Sequence, residues 1–153
     1  MTEILFYHLQ GQKLENVLPA LLEKSLERGW KVVVQGSTEE RIEALDAHLW
    51  TYRDDGFLPH GTWREAEAAQ QPVLLTAKDD NPNGATVRFL VDRAPLPADF
   101  ERYQRIVLLF DGEDDEAVAA ARAHWSDVRA KGFEATYWQT DEQGRWAKKA
   151  EGR

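Results

Sequence analysis

Short apolar runs alternate along this chain with longer stretches in which apolar residues recur every three or four positions. EILFYHL (3–9) is a continuous run, read as a buried strand that ends at a turn with Gly11. In LENVLPALLEKSLERG (14–29), Leu14, Val17, Leu18, Leu21, Leu22 and Leu26 repeat at helical spacing. Pro19 falls in the first turn and a half, where it disrupts least, and Gly29 suits the stop. KVVVQG (31–36) is a second strand, after which Ser37 or Thr38 caps a helix with Glu39 and Glu40 in its first turn. That helix runs through Arg41–Trp50, with Ile42, Leu45, Leu49 and Trp50 as its apolar side. The order β–α–β–α predicts a parallel sheet with right-handed crossovers.

The pattern then loosens. YRDDGFLPHG (52–61) reads as a loop, with room for a very short strand at Phe57–Leu58. PVLLTA (72–77) and ATVRFLVDR (85–93) are strands joined by the turn KDDNPNG (78–84). They are close enough to pair as a hairpin. The link is too short for a crossover helix, yet the spacing leaves a parallel arrangement open. After the proline-marked APLPADF (94–100) come a strongly apolar strand RIVLLF (105–110), a helix within 111–132 and a last strand FEATYWQ (133–139). The tail from 140 to 153 is polar. The expectation is one α/β sandwich over 1–153 with a mostly parallel central sheet.

Composition narrows the chemistry. The 153 residues suit one domain, and six Trp, six Phe and four Tyr supply a core. With no cysteine, disulfides and thiolate metal sites are excluded, and a reducing, cytoplasmic setting fits. No apolar run reaches the roughly 18 residues of a membrane span, and MTEILFYHLQ lacks the basic leader of a signal peptide. The net charge of −8 disfavours direct binding to nucleic acid. Residues 119–153, however, hold seven Lys or Arg against five Asp or Glu, a local excess of two that leaves −10 for the remainder. A locally basic side on an acidic body can steer an acidic partner.

Catalytic signatures are missing. The first strand–helix turn, HLQGQKLEN, has one glycine and fits neither dinucleotide nor P-loop patterns. QGSTEE could hold an anion at a helix start, although an ordinary N-cap is the simpler reading. Asp79, Asn81, Asn83 and Gly84 imitate the opening of a calcium loop, but the twelfth position is Leu90. His8, His48, His60 and His124 lack close metal-ligand spacing, and no nucleophile–base pair is recognisable. The acids Asp111–Glu116 suit the positive end of the following helix better than a cation. No catalytic residue, metal or cofactor is expected. A disguised nucleotide-binding or hydrolytic α/β enzyme is the alternative.

The last helix carries the strongest signal. With Arg122 at zero on a helical wheel, Val118 lies at roughly −40°, Trp125 at roughly −60° and Arg129 at roughly −20°. Ala117, Ala121 and Val128 lie adjacent, on the expected sheet-facing stripe. The two arginines thus border the apolar stripe, where their stems can lie on the protein while the guanidinium groups stay accessible. They could instead pair with nearby carboxylates around a core tryptophan. Otherwise the sector describes a slot with an apolar floor and a cationic rim, suited to an acidic peptide that ends in an apolar residue.

The chain resembles the chi subunit of bacterial DNA polymerase III holoenzyme over nearly its full length. The likeness rests on FYHL, ERGWKVVV, ERIEALDAHLW followed by GFLPHG, and ARAHWSDVRAKGFEATYW. Its most specific piece is the set Asp46, Leu49, Trp50, Phe57, Pro59 and His60. The resemblance implies a Rossmann-like three-layer fold without a working nucleotide site. It also implies a non-enzymatic adaptor, touching DNA only indirectly, that holds the acidic C-terminal tail of single-stranded-DNA-binding protein. That tail ends in Asp residues followed by Ile-Pro-Phe. By position, the tail site falls on Val118, Arg122, Trp125 and Arg129, with Trp125 where better-known members have Tyr. A family lysine aligns with Ser126, and Lys131, Lys148 or Lys149 are candidates to replace it. The surface for the psi subunit, which connects to the clamp loader, falls on Trp50, Phe57 and Pro59, with Leu58 between.

Overall fold

A computed structural model describes residues 2–52, 58–141 and 145–152. The elements in chain order are β1 (Glu3–Leu9), α1 (Leu14–Glu27), β2 (Val32–Gln35), α2 (Glu39–Thr51), β3 (His60–Thr62), β4 (Val73–Thr76), β5 (Val87–Leu90), β6 (Arg105–Asp111), α3 (Asp115–Ala130), β7 (Glu134–Thr140) and β8 (Trp146–Gly152). Among the described residues the eight strands make one sheet, ordered β3-β4-β2-β5-β6-β1-β7-β8. Every neighbouring pair is parallel except β7 with β8.

Alternation along each strand divides the core. Leu9, Val32, Val34, Val73, Val87, Val107 and Leu109 pack with α1 and α2. Ile4, Phe6, Val33, Ile106, Leu108, Phe110 and Ala135 pack instead with Ala117, Ala121 and Val128 of α3 and with the connections at Ala85, Ala94 and Phe100. The small alanines of α3 let its backbone lie close to the sheet.

The helix ends follow local chemistry. Thr38 is the residue that caps α2, its Oγ1 accepting from the Arg41 amide at 3.1 Å. Asp114 caps α3 by accepting from the Glu116 and Ala117 amides. Gly29 and Gly132 both adopt the left-handed region, at φ 79° and 84°. There the amides of Trp30 and Phe133 turn back to the Ser25 and Val128 carbonyls. Pro19 cannot donate to the Glu15 carbonyl four residues earlier. His48 of α2 replaces that donor, with Nε2 at 2.7 Å from the Glu15 oxygen.

Three parts differ from expectation. A very short strand forms at His60–Thr62; Leu58 is not part of a strand, and Phe57 lies outside the described residues. Strands β4 and β5 do not form a hairpin, because β2 lies between them and pairs with both. The connection that crosses β2 is fastened by Arg88, wholly buried on β5. Its guanidinium donates to the Lys78 and Asp80 carbonyls, to Gln35 Oε1 and to the Tyr103 hydroxyl. The calcium-like asparagines fasten the same turn. Asn81 bonds both the amide and carbonyl of Ala85, and Asn83 donates to the Val32 and Gln71 carbonyls. Finally, the polar tail contains β8, held against β7 by a ladder and by Trp146 packed edge-on to Tyr7 at 4.9 Å.

Candidate functional site

The sector read from the helical wheel opens on a cavity of about 450 Å³. Val118, Arg122, Trp125 and Arg129 of α3 all line it, with Ala121. Phe110 of β6 and Tyr137 of β7 add apolar walls, and Lys149 and Ala150 of β8 form the far side. Trp125 is half-buried because it sits over the sheet: its ring stands edge-on to Phe6 at 5.3 Å and to Tyr137 at 6.1 Å. Arg129 spreads its guanidinium over the same ring, 5.6 Å from the centroid. The side chains of Arg122 and Arg129 are exposed, and among the described residues neither pairs with a carboxylate. The local acids are engaged elsewhere: Asp114 and Glu116 hold Arg93, and Asp127 holds Lys131.

A polar cluster adjoins the cavity wall. His8 Nδ1 and the Tyr137 hydroxyl share a hydrogen bond. Burial, then the nearby Arg122 charge, holds the His8 pKa below its ordinary value, with Asp111 opposing. Burial raises the Tyr137 phenol, and Arg122 opposes that shift. Gly112 is required beneath His8, because a Cβ there would stand 1.9 Å from Nε2 and 2.8 Å from the Leu9 carbonyl. The chain reverses under the ring at this point, with the Gly112 amide donating to Leu9 at 2.7 Å.

Such an arrangement offers shape, apolar contact and unpaired positive charge, the means of gripping an anionic end with an apolar side chain. Reading the helix alone finds four of these residues. It misses Phe110 and Tyr137, which strand alternation alone could signal, and Ala150, on a strand whose alternation is broken, and it names Lys149 without a position.

Residues 1–136 match the family described as DNA polymerase III chi subunit, HolC. The chain belongs to the chi family. The "Probable DNA polymerase III subunit chi" of Rickettsia prowazekii (strain Madrid E) is 26% identical over 121 residues, spanning 72% of this chain and 71% of the relative. The "DNA polymerase III subunit chi" of Pseudomonas aeruginosa (strain PAO1) is 24% identical over 113 residues, spanning 74% and 77%. Each match covers more than two thirds of both partners. The relatives are named as subunits of DNA polymerase III, which agrees with an accessory role without chemistry of its own.

Asp46 and Trp50 of α2 meet His60 at the β3 edge of the sheet. Trp50 is 50% exposed, off the apolar side of α2 to which its spacing assigned it, and lies against His60 with ring centroids 4.5 Å apart. His60 is buried; Nδ1 donates to the Leu58 carbonyl at 2.7 Å, and Nε2 faces the Asp46 carbonyl at 3.3 Å. The Asp46 carboxylate also approaches Nε2, to 3.2 Å, without the alignment of a hydrogen bond. Pro59 is partly exposed. Leu58 is a correction: its side chain is 2% exposed and packs in the α1–α2 core, so it offers no outward contact.

A larger crevice of about 750 Å³ opens where β1 and β6 send their helices to opposite faces. Open parallel sheets often bind nucleotides at this position. Here Arg41 spans the crevice to Glu15 and Asp92, and the lining also carries Asp111, Glu113 and Asp114. The lining is thus mixed, with its carboxylates outnumbering the cations Lys13, Arg41 and Arg93, an unfavourable balance for phosphates. Among the described residues no metal-binding cluster is formed, and no helix is long and apolar enough to cross a membrane.

Proposed function

We propose that this chi-family chain is a non-catalytic adaptor of the replication machinery, with a Rossmann-like sandwich used as a binding scaffold. Its α3–β7–β8 cavity takes the acidic C-terminal tail of single-stranded-DNA-binding protein, and its Trp50 and Pro59 surface docks psi and through it the clamp loader. The protein acts in the cytoplasm and meets DNA only through these partners. One observation carries the reading: Val118, Arg122, Trp125 and Arg129 share a single open cavity, with both guanidinium groups unpaired by carboxylate among the described residues. Trp125 and Phe110 give the terminal apolar residue a surface, and the arginines receive its carboxylate as two-pronged donors. The alternative, a nucleotide-binding or hydrolytic enzyme, meets a crevice in which carboxylates outnumber Lys13, Arg41 and Arg93 and a first turn with no glycine-rich phosphate loop.

The test is a calorimetric titration with an acidic peptide ending in Pro-Phe. A short ligand with one aromatic anchor and few charge contacts binds at about micromolar strength, roughly −8 kcal/mol. Arg129→Ala and Trp125→Ala each weaken binding at least about tenfold, or about 1.4 kcal/mol. Trp50→Ala leaves the titration unchanged and abolishes capture of psi. Binding by Arg129→Ala equal to the parent removes Arg129 from the site; ATP or NAD raising the melting temperature would favour the enzyme.

A further inference from the structure

The pairing of β7 with β8 contains an irregularity that bears directly on the cavity. Ala150 stands opposite Tyr137, yet the next residue along β7, Trp138, stands opposite Lys148. Lys149 is therefore the extra residue of a β-bulge. Regular strands send consecutive side chains to opposite faces. A regular β8 would give either residue 149 or residue 150 to the α3 side, not both. Here both Lys149 and Ala150 line the cavity. Tyr137 faces that cavity, whereas Trp138 stacks on Tyr7, whose ring packs with the α1–α2 core. Lys148, paired directly with Trp138, belongs with that opposite side.

The bulge thus separates two consecutive lysines, giving one to the cavity and one to the other face. It also sets a cation across from the helix that bears the two arginines. The family match ends at residue 136, so this cation comes from a strand beyond the segment that defines the family.

We propose that Lys149 is a specificity-determining residue of the peptide site, reading the acidic side chains that precede the terminal apolar residue. This rests on the tail-binding reading above. The division of labour follows from the head groups. Guanidinium is planar and suits the fixed geometry of a terminal carboxylate; an ammonium on a flexible stem is a point charge that tolerates acids in varied positions. Arg122 and Arg129 flank Trp125 on α3 and serve the anchored end, while Lys149 approaches from β8 and serves the chain leading into it.

The experiment uses the full chain and two peptides, each ending in Pro-Phe with a free carboxylate. One carries acids upstream; the other has Asn in their place. The parent binds both, the acidic one more tightly. Lys149→Ala weakens the acidic peptide about 3- to 5-fold, as expected for one exposed ion pair, and leaves the Asn peptide unchanged. Lys149→Arg restores binding, and Lys148→Ala matches the parent on both. A parent that binds neither peptide defeats the tail reading itself. A parent that binds while Lys149→Ala weakens neither peptide, or both equally, defeats the role of Lys149 alone.

Discussion

Trp125 is held from two sides, edge-on to Phe6 below and covered in part by Arg129 above. Its ring is a preformed wall, and a ligand need not order it. His8 is the titratable counterpart of that rigidity. Burial and the Arg122 charge keep its pKa below the ordinary 6.5, and burial moves His124 the same way against Asp127. Well above pH 6.5 both rings are neutral in the folded and unfolded chains, and stability has its full value. As pH falls below that point the unfolded chain binds protons first, so stability drops until the folded rings also protonate. We expect the melting temperature to fall as pH is lowered from about 7 to about 5.5, above the range in which ordinary carboxylates titrate. The His8→Gln variant loses less over the same interval. Thermal unfolding at constant ionic strength checks this; parallel profiles for parent and variant would refute a role for His8.

At the scale of elements, the helices were largely legible and the edges of the sheet were not. The 3.6-residue repeat located α1 and α3, and short apolar runs located β1, β2 and β6, because one-sided or two-sided burial writes itself into spacing. Strand β3 escaped because His-Gly-Thr is not apolar; its buried imidazole is accommodated by the hydrogen bond of His60 Nδ1 to the Leu58 carbonyl. Strand β8 escaped because a bulge breaks its alternation. The β4–β5 topology is fastened by Arg88, which reaches Gln35 of β2, 53 residues away in sequence. The same division holds for the site: four α3 residues follow from one wheel, whereas Lys149 needs a pairing register. One interaction between elements gives a sharp prediction. His48 serves the Glu15 carbonyl only because Pro19 has no amide hydrogen. His48→Ala should cost about 1 kcal/mol in the parent, the net worth of a hydrogen bond. In a Pro19→Ala background the restored amide can take up that carbonyl, and the same change should cost less. Urea unfolding of the four proteins gives the coupling energy, and additive losses would reject the exchange of donors.

For the whole molecule, the charge distribution makes an acidic peptide an unusual partner. The body is acidic and repels the peptide, while the segment that builds the cavity carries a local excess of two positive charges. The two fields differ in range. At about 0.01 M salt the Debye length is about 30 Å, so the approaching peptide feels most of the body. At about 0.1 M it is about 10 Å, and only the near face counts. Raising salt over this interval therefore screens the distant repulsion more than the attraction of Arg122, Arg129 and Lys149 at contact range. Association should speed up between about 0.01 and 0.1 M, and dissociation should also quicken as the exposed ion pairs weaken. A ligand guided by a net basic surface behaves oppositely, its association slowing steadily with salt. Stopped-flow fluorescence of the tail peptide separates the two rates. An association rate that falls throughout the interval would mean that the acidic body does not oppose the encounter, and that the cationic wall dominates the field even at long range.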